Sequence, residues 1–341
     1  MPVSHLKTPA MRDVARLAGV APMTVSRALG GHPSVRPETR QQVQLAARKL
    51  GYVHNFVARA LLRRGSRLIA LVVPNVSNSV FAETIHGLEE ILQAEGYTLI
   101  IGHSGYSKEA EEKLVRTLLG YGPDAVVLTG FTHTKATRTL LRRARIPVVE
   151  TWNIGAKPLD VAVGFSNFEA AKAITRLMID RGCRRLAYAS GTQTDNDRTQ
   201  AREAGFRRAL NEAGLAVRDA LVSTHAMELE SGMALARDFA RMRRMPDGLF
   251  AASDIIASGF ILESCRLGIK IPYDIAVAGF DDAPLSNAVE PRLTTVHVPQ
   301  REIGRATAQI LLRRLAGEKN VPTQRDVGFK IIERASTRLE D

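Results

Sequence analysis

The spacing of apolar positions changes character near residue 66. Before it, three short stretches carry apolar residues at helical intervals. The first helix is predicted over residues 9–18, with Thr8 as its cap, Pro9 in its first turn and Gly19 as its stop. Val14, Leu17 and Ala18 form its expected buried stripe. The turn Gly19-Val20-Ala21 leads to a second helix over 22–29, with Val25, Ala28 and Leu29 facing inward. Gly30-Gly31-His32-Pro33 breaks it, and a third helix runs from near Pro37 to just before Gly51. Its Val43, Ala46, Ala47 and Leu50 fall at i, i+3, i+4 and i+7.

Two helices joined by a tight glycine-containing turn, with a third behind, form the helix-turn-helix arrangement. Burying Val25, Ala28 and Leu29 leaves Met23, Ser26 and Arg27 outward, with Pro22 and Thr24 at the start of that face. Residues 55–64 are helix-prone but too short for a stable isolated helix, and Gly65-Ser66 ends them.

From residue 67 strand-like runs alternate with amphipathic helices. Strands are predicted at 68–74, 97–102, 125–129 and 148–151, and helices at 81–95, 110–120 and 135–144. The scheme restarts with helices at 169–181, 200–213, 231–242 and 255–267 between strands at 185–190, 221–224, 248–251 and 275–280. Repeated βα units imply doubly wound parallel sheets. The stretches 68–96 and 185–214 read alike, as strand, loop, long helix and glycine, so two similar α/β lobes with a cleft between them are expected. Ligands in such folds sit at the carboxyl ends of the strands. The domain plan is a headpiece over 1–54, a hinge helix or linker over 55–65, and a core over 66–341.

Charge sharpens this picture. The net charge of the 341 residues is +12, and residues 1–64 hold eleven Lys and Arg against only Asp13 and Glu38. Of the 47 basic and 35 acidic groups in the chain, 36 and 33 remain for the core. A basic head on a nearly neutral body is the footprint of a phosphate-binding module. A membrane-surface helix would also show a large apolar face, which the head lacks. No apolar run approaches the roughly 18–20 residues of a membrane span, and the first ten residues hold no secretory leader. Cys183 and Cys265 read as reduced thiols. Together these point to the cytoplasm.

Enzymatic motifs fail on inspection. Gly102-His-Ser-Gly-Tyr resembles a nucleophile elbow, but Tyr106 stands where the second glycine is required. Dinucleotide and P-loop glycine patterns are missing, and the eight histidines lack zinc-ligand spacing, so no enzyme, cofactor or metal is expected.

The segment from Asp13 through Leu29, then Arg36-Pro-Glu-Thr-Arg and Leu50-Gly-Tyr-Val-His-Asn, resembles the lac-repressor family. So do Leu249-Phe-Ala-Ala-Ser-Asp, Ala278-Gly-Phe-Asp-Asp and Arg292-Leu-Thr-Thr-Val in the core. Phe81-Ala-Glu, Thr132-His-Thr, Ile146-Pro-Val-Val-Glu and the stretch from Leu159 to Ala171 are similar to its gluconate-repressor branch. Arg36 stands where the family often has a capping serine. The resemblance implies a dimeric, DNA-binding repressor of a pseudo-palindromic operator, with a periplasmic-binding-protein-like core that senses a sugar acid. Another sugar, a purine or a partner protein are the alternative effectors, and a sugar-binding protein without DNA function is the remoter one. The chain is expected to cross between lobes three times, with 67–165 plus 295–325 in lobe one and 166–292 plus 326–341 in lobe two. The connection 291–299 is expected as a crossover strand.

Candidate site residues follow. Arg27 offers a bidentate contact to guanine, and Met23 an apolar contact to a thymine methyl. Thr24, Ser26 and Tyr52 suit phosphate contact or packing. Asn55 suits the hinge cap and the DNA backbone, and Leu61 matches the family's minor-groove wedge, with Leu62 as its neighbour. In the core, Arg198 and Arg202 lie four apart at a helix start, so both can face the cleft. By resemblance Arg202 grips the effector, with Arg198 and Asn196 on the same loop. Asp254 and Asp281 follow strand ends and match family positions that bind polyol hydroxyls. Phe81, Trp152 and Met227 are expected as apolar walls, with Asn153 beside a hydroxyl.

Overall fold

In the computed structural model the described residues are 9–30, 32–52, 65–76 and 79–337. The chain divides into two compact units, Met1–Ser66 and Arg67–Asp341.

The first unit contains α1 (Met11–Leu17), α2 (Pro22–Leu29) and α3 (Pro37–Leu50). The N-cap of α1 is Ala10, whose N–H donates to the Asp13 carboxylate at 2.9 Å. The helix therefore starts two residues later than expected, and Thr8 lies outside the described residues. The buried stripe also differs: Val14, Ala15 and Ala18 pack inward, and Leu17 is 45% exposed. Val14, Ala15 and Ala18 share one apolar cluster with residues of α2 and α3, and Leu17 lies outside it. Val25, Ala28, Val35, Val43, Ala46 and Ala47 complete this core. Arg36 caps α3 with backbone only, and Gly51 closes it in the left-handed region, φ 63°.

The second unit holds two sheets. The first is built from β1 (Leu68–Val73), β2 (Thr98–His103), β3 (Ala125–Thr129), β4 (Val148–Thr151), β5 (Val161–Gly164) and β11 (Gln324–Asp326). The second has β6 (Leu186–Ser190), β7 (Val222–Thr224), β8 (Gly248–Ala251), β9 (Ala276–Asp281), β10 (Thr294–His297) and β12 (Lys330–Ile332). The orders are β11-β5-β4-β3-β1-β2 and β12-β10-β9-β8-β6-β7, so the same doubly wound arrangement occurs twice. All neighbours are parallel except β12, which runs antiparallel to β10. Among the described residues the helices of this unit are α4 (Ser79–Leu92), α5 (Lys108–Gly120), α6 (Lys135–Ala144), α7 (Asn167–Asp180), α8 (Asp197–Glu212), α9 (Leu229–Ala240), α10 (Asp254–Leu267) and α11 (Gln300–Leu315).

Sheet membership differs from expectation at one crossing. β10 pairs with β9 and β12, so 294–297 stay in the second sheet; the expected plan put residues from 295 onward in lobe one. The chain returns only afterwards, through α11. This helix lies against α4 so tightly that a Cβ on Gly87 would sit 2.1 Å from the Arg301 carbonyl oxygen, and one on Gly304 would sit 2.1 Å from that of Thr84. β5, α11, β11 and β12 are elements that the apolar pattern did not reveal.

No helix among the described residues is long and apolar enough to cross a membrane. Cys183 is buried, and burial pushes its thiol up to about 12; Cys265 is exposed.

Candidate functional site

In the first unit, α2 presents the expected face. Pro22, Met23 and Arg27 are exposed, with Met23 at 63%, while Thr24 and Ser26 are half-buried. The N-cap is Ala21, which has no side-chain acceptor for the first-turn amides, and Pro22 brings no N–H that would need one. Tyr52 is half-buried and packs on the three-helix core, so packing is its visible role. Asn55, Leu61 and Leu62 lie outside the described residues.

In the second unit the strand ends of both sheets converge. Trp152 and Asn153 follow β4, the loop 191–196 follows β6, Asp254 follows β8, and Asp281 ends β9. Parallel strands place all these termini on one side, so residues far apart in the chain meet. Phe81, Trp152, Asn196, Arg198, Arg202, Met227 and Asp281 line a common inner void of about 30 Å³ with Val80, Tyr106 and Thr199. Outside it, a chamber of about 360 Å³ is lined by Asn75, Ser79, Met227, Glu228, Ser253, Asp254 and Asp281, among others.

The two lobes touch across the void. The Arg198 guanidinium donates to the Thr129 carbonyl at 3.2 Å, and the Asn153 amide donates to Asp197 at 2.7 Å. Lys108 pairs with Asp195 at 2.8 Å. A Cβ on Gly130 would lie 2.0 Å from the Arg198 Nη1, so only glycine permits this approach. The cleft is closed.

Arg202 is not a solvated charge. It is buried; its Nε donates to Asn167 Oδ1 at 2.8 Å and its Nη1 to the Ala252 carbonyl at 2.8 Å. Its Nη2 stands 3.7 Å from the Asp281 carboxylate, and its guanidinium carbon lies 3.6 Å from the Phe280 ring centroid. Burial lowers its pKa and the Asp281 charge opposes that. Burial raises Asp281 to about 6, against the pull of Arg202. Asp281 also has φ 106°, a strained value for a residue with a side chain.

Asp254 is held from both oxygens. Thr295 donates to one of its oxygens at 2.6 Å and the Ala283 N–H to the other at 2.7 Å. Burial, reinforced by the Asp281 charge, pushes this carboxyl well above the usual range. It pins the turn after β9 to α10 and reaches the chamber only as part of its wall. Asp282 faces away: burial pushes it up, but Arg334 at 2.7 Å and His297 at 2.9 Å outweigh that and hold it low.

Asn196 caps α8 through Thr199 and donates to the Thr192 carbonyl at 3.2 Å. Phe81 meets Trp152 edge-on, with centroids 5.1 Å apart. Met227 fills the space that Gly191 leaves open. Tyr106, the residue that breaks the nucleophile-elbow pattern, lines the void with a left-handed φ of 62°. Its signal was the glycine pair flanking a strand end.

A second polar cluster was not foreseen. His133 sits buried between two buried glutamates, Nδ1 2.6 Å from Glu111 and Nε2 3.2 Å from Glu150. The Leu159 N–H donates to the other Glu150 oxygen at 2.5 Å. Thus parts of three motifs, Thr132-His-Thr, the Glu of Ile146-Pro-Val-Val-Glu and Leu159, form one network.

Comparison with known proteins adds to this geometry. Residues 10–55 match the model of bacterial regulatory proteins of the lacI family, and residues 175–337 match a periplasmic binding protein-like domain. The chain is 39% identical to the HTH-type transcriptional regulator GntR of Pseudomonas aeruginosa, covering 96% of each. It is 37% identical to the regulator of the same name from Escherichia coli K12, covering 95% of this chain and 97% of that one. The chain belongs to the lacI family. This lacI-family member is a DNA-binding transcriptional regulator and not an enzyme. It is similar, with TM-score 0.91 and 31% identity, to a lacI-family regulator from Silicibacter pomeroyi, over 97% of this chain and all of that one.

Proposed function

We propose that the protein is a cytoplasmic repressor that holds a pseudo-palindromic operator as a homodimer and releases it when a sugar acid such as gluconate fills the core cleft. In this reading 1–54 is the headpiece, 55–65 the hinge and 66–341 the sensor. Arg27 and Met23 read bases; Pro22, Thr24, Ser26 and Tyr52 position the headpiece; Asn55 and Leu61 act in the hinge. Two-fold symmetry in the protein matches two half-sites in the DNA.

The observation that carries the effector assignment is the pair of buried guanidinium groups, Arg198 and Arg202, on the wall of one small void. A guanidinium suits a carboxylate, and a neutral sugar would leave that preference unused. Asn153, Asn196 and the chamber oxygens suit hydroxyls, with Phe81, Trp152 and Met227 against the carbon chain. The likeness of the core motifs to the gluconate-repressor branch supports the same ligand, as does the identity to two regulators named GntR. The inner void of about 30 Å³ admits a water and not a six-carbon acid; in this reading the lobes part at the arginines to admit the carboxylate, with the carbon chain in the adjoining chamber of about 360 Å³.

Calorimetric titration of the full chain with gluconate and glucose tests this. Gluconate is expected to bind at least about tenfold tighter, since one charge-assisted hydrogen bond is worth roughly 1.5–3 kcal/mol. Its affinity is expected to rise as pH falls through about 6, where Asp281 takes up a proton and stops repelling the ligand anion; glucose should show no such rise. Equal binding of the two sugars would remove the sugar-acid assignment. Tight binding of a purine instead would replace the ligand and leave the regulator intact.

A further inference from the structure

Trp152 is the single tryptophan of the chain. It is 2% exposed and lines the inner void, yet its indole N–H has no hydrogen-bond partner among the described residues. Buried donors are nearly always satisfied, and an orphan at a cavity wall calls for a missing acceptor. The residue is also held under strain. Its φ is 72°, in a region that residues with large side chains rarely occupy.

Both backbone groups are fixed. The Trp152 N–H donates to the Val163 carbonyl at 3.0 Å, and its carbonyl accepts from the Asn167 amide at 2.8 Å. Asn167 lies in α7 of the second lobe and also receives the Arg202 Nε, so one amide ties the tryptophan to the effector arginine. With Phe81 on the ring, the indole has a defined direction rather than a choice of rotamers. A cheaper apolar wall would need neither the strain nor the N–H.

We propose that the Trp152 indole N–H is a specificity-determining donor, which takes a hydroxyl or carboxylate oxygen of the small molecule bound in the cleft. It rests on the effector reading above and goes beyond treating Trp152 as an apolar wall. Arg198 and Arg202 favour negative charge; Trp152 asks for an acceptor at a particular point. A ligand that puts a methylene there leaves the donor unsatisfied and is rejected. One that puts an oxygen there relieves it.

Because Trp152 is the only tryptophan, biosynthetic replacement by 3-benzothienylalanine alters this site alone. The analogue keeps the two-ring shape and lacks the N–H. Full-chain protein carrying it is expected to bind gluconate about five- to tenfold more weakly than wild type, with an unchanged melting temperature in the absence of ligand. Trp152→Phe should weaken binding as well. In wild type labelled with indole ¹⁵N, the lone side-chain resonance should shift on adding gluconate. Unchanged gluconate affinity of the analogue protein, or a resonance that does not move, would overturn the proposal while leaving gluconate as the effector. Absence of gluconate binding by wild type would overturn both.

Discussion

Replacing His133 by glutamine should lower stability by about 3–5 kcal/mol near neutral pH, the usual cost of breaking a buried charge pair. The histidine touches Glu111 through one ring nitrogen and Glu150 through the other, and all three side chains are buried. Burial pushes the imidazole toward its neutral form, but the two carboxylates outweigh it and raise the pKa to about 9. At neutral pH the ring is therefore a cation between two anions. A raised pKa gives stability that is fully present below the unfolded value near 6.5 and is lost as pH rises through about 9. Denaturant unfolding of wild type and His133→Gln at pH 7 and pH 10 checks both points. The gap between them should be large at the lower pH and should shrink at the higher, because wild type loses its own cation there. An equal gap at both would mean that the ring acts by packing alone.

The second large effect belongs to Arg202. A solvated arginine could be truncated harmlessly, but this one serves Asn167 and the Ala252 carbonyl, faces Asp281 and covers Phe280. Arg202→Ala strands all four in a closed interior. A loss of about 3–5 kcal/mol in stability is expected, together with loss of measurable gluconate binding. Arg202→Lys separates the two roles. It keeps a positive charge near Asp281 and gives up the planar fork, so the fold should survive better while gluconate affinity drops at least about tenfold. Unfolding curves and calorimetry on both variants provide the comparison. Full gluconate affinity in Arg202→Lys would place the ligand carboxylate elsewhere, with Arg198 the next residue to change.

What the amino-acid pattern disclosed depended on how local each cause is. α2 and α3 start at prolines and end at glycines, so their limits could be read to the residue. β3, α6, β4 and β8 were equally plain, because turn residues bracket each apolar run. β5 has only four residues and follows β4 after an irregular loop, and β11 and β12 have three each. Such strands exist because a neighbour offers an open edge, which no local pattern records. Leu17 was misplaced because two faces of a seven-residue helix look alike until the partners are known.

The candidate site shows the same division. Strand-end positions, a helix start and the family resemblance together marked out the core residues that line the void, and parallel topology brings them together. Their bonding was invisible: Asp254 is engaged by Thr295, 41 positions away, and Arg198 by a carbonyl 69 positions away. Tyr106 and the His133 network were passed over for a related reason, since each acquires its meaning from partners on other strands.

In this regulator occupancy of the cleft is expected to govern operator binding, and one titration checks it. Fluorescence anisotropy of a labelled operator fragment would follow binding of the full chain as gluconate is added at fixed salt. Operator affinity is expected to fall as gluconate saturates the core, by about 5- to 150-fold for a typical coupling of 1–3 kcal/mol. Glucose at the same concentration should leave the binding curve in place. An operator affinity that does not change across the whole gluconate range would contradict this coupling.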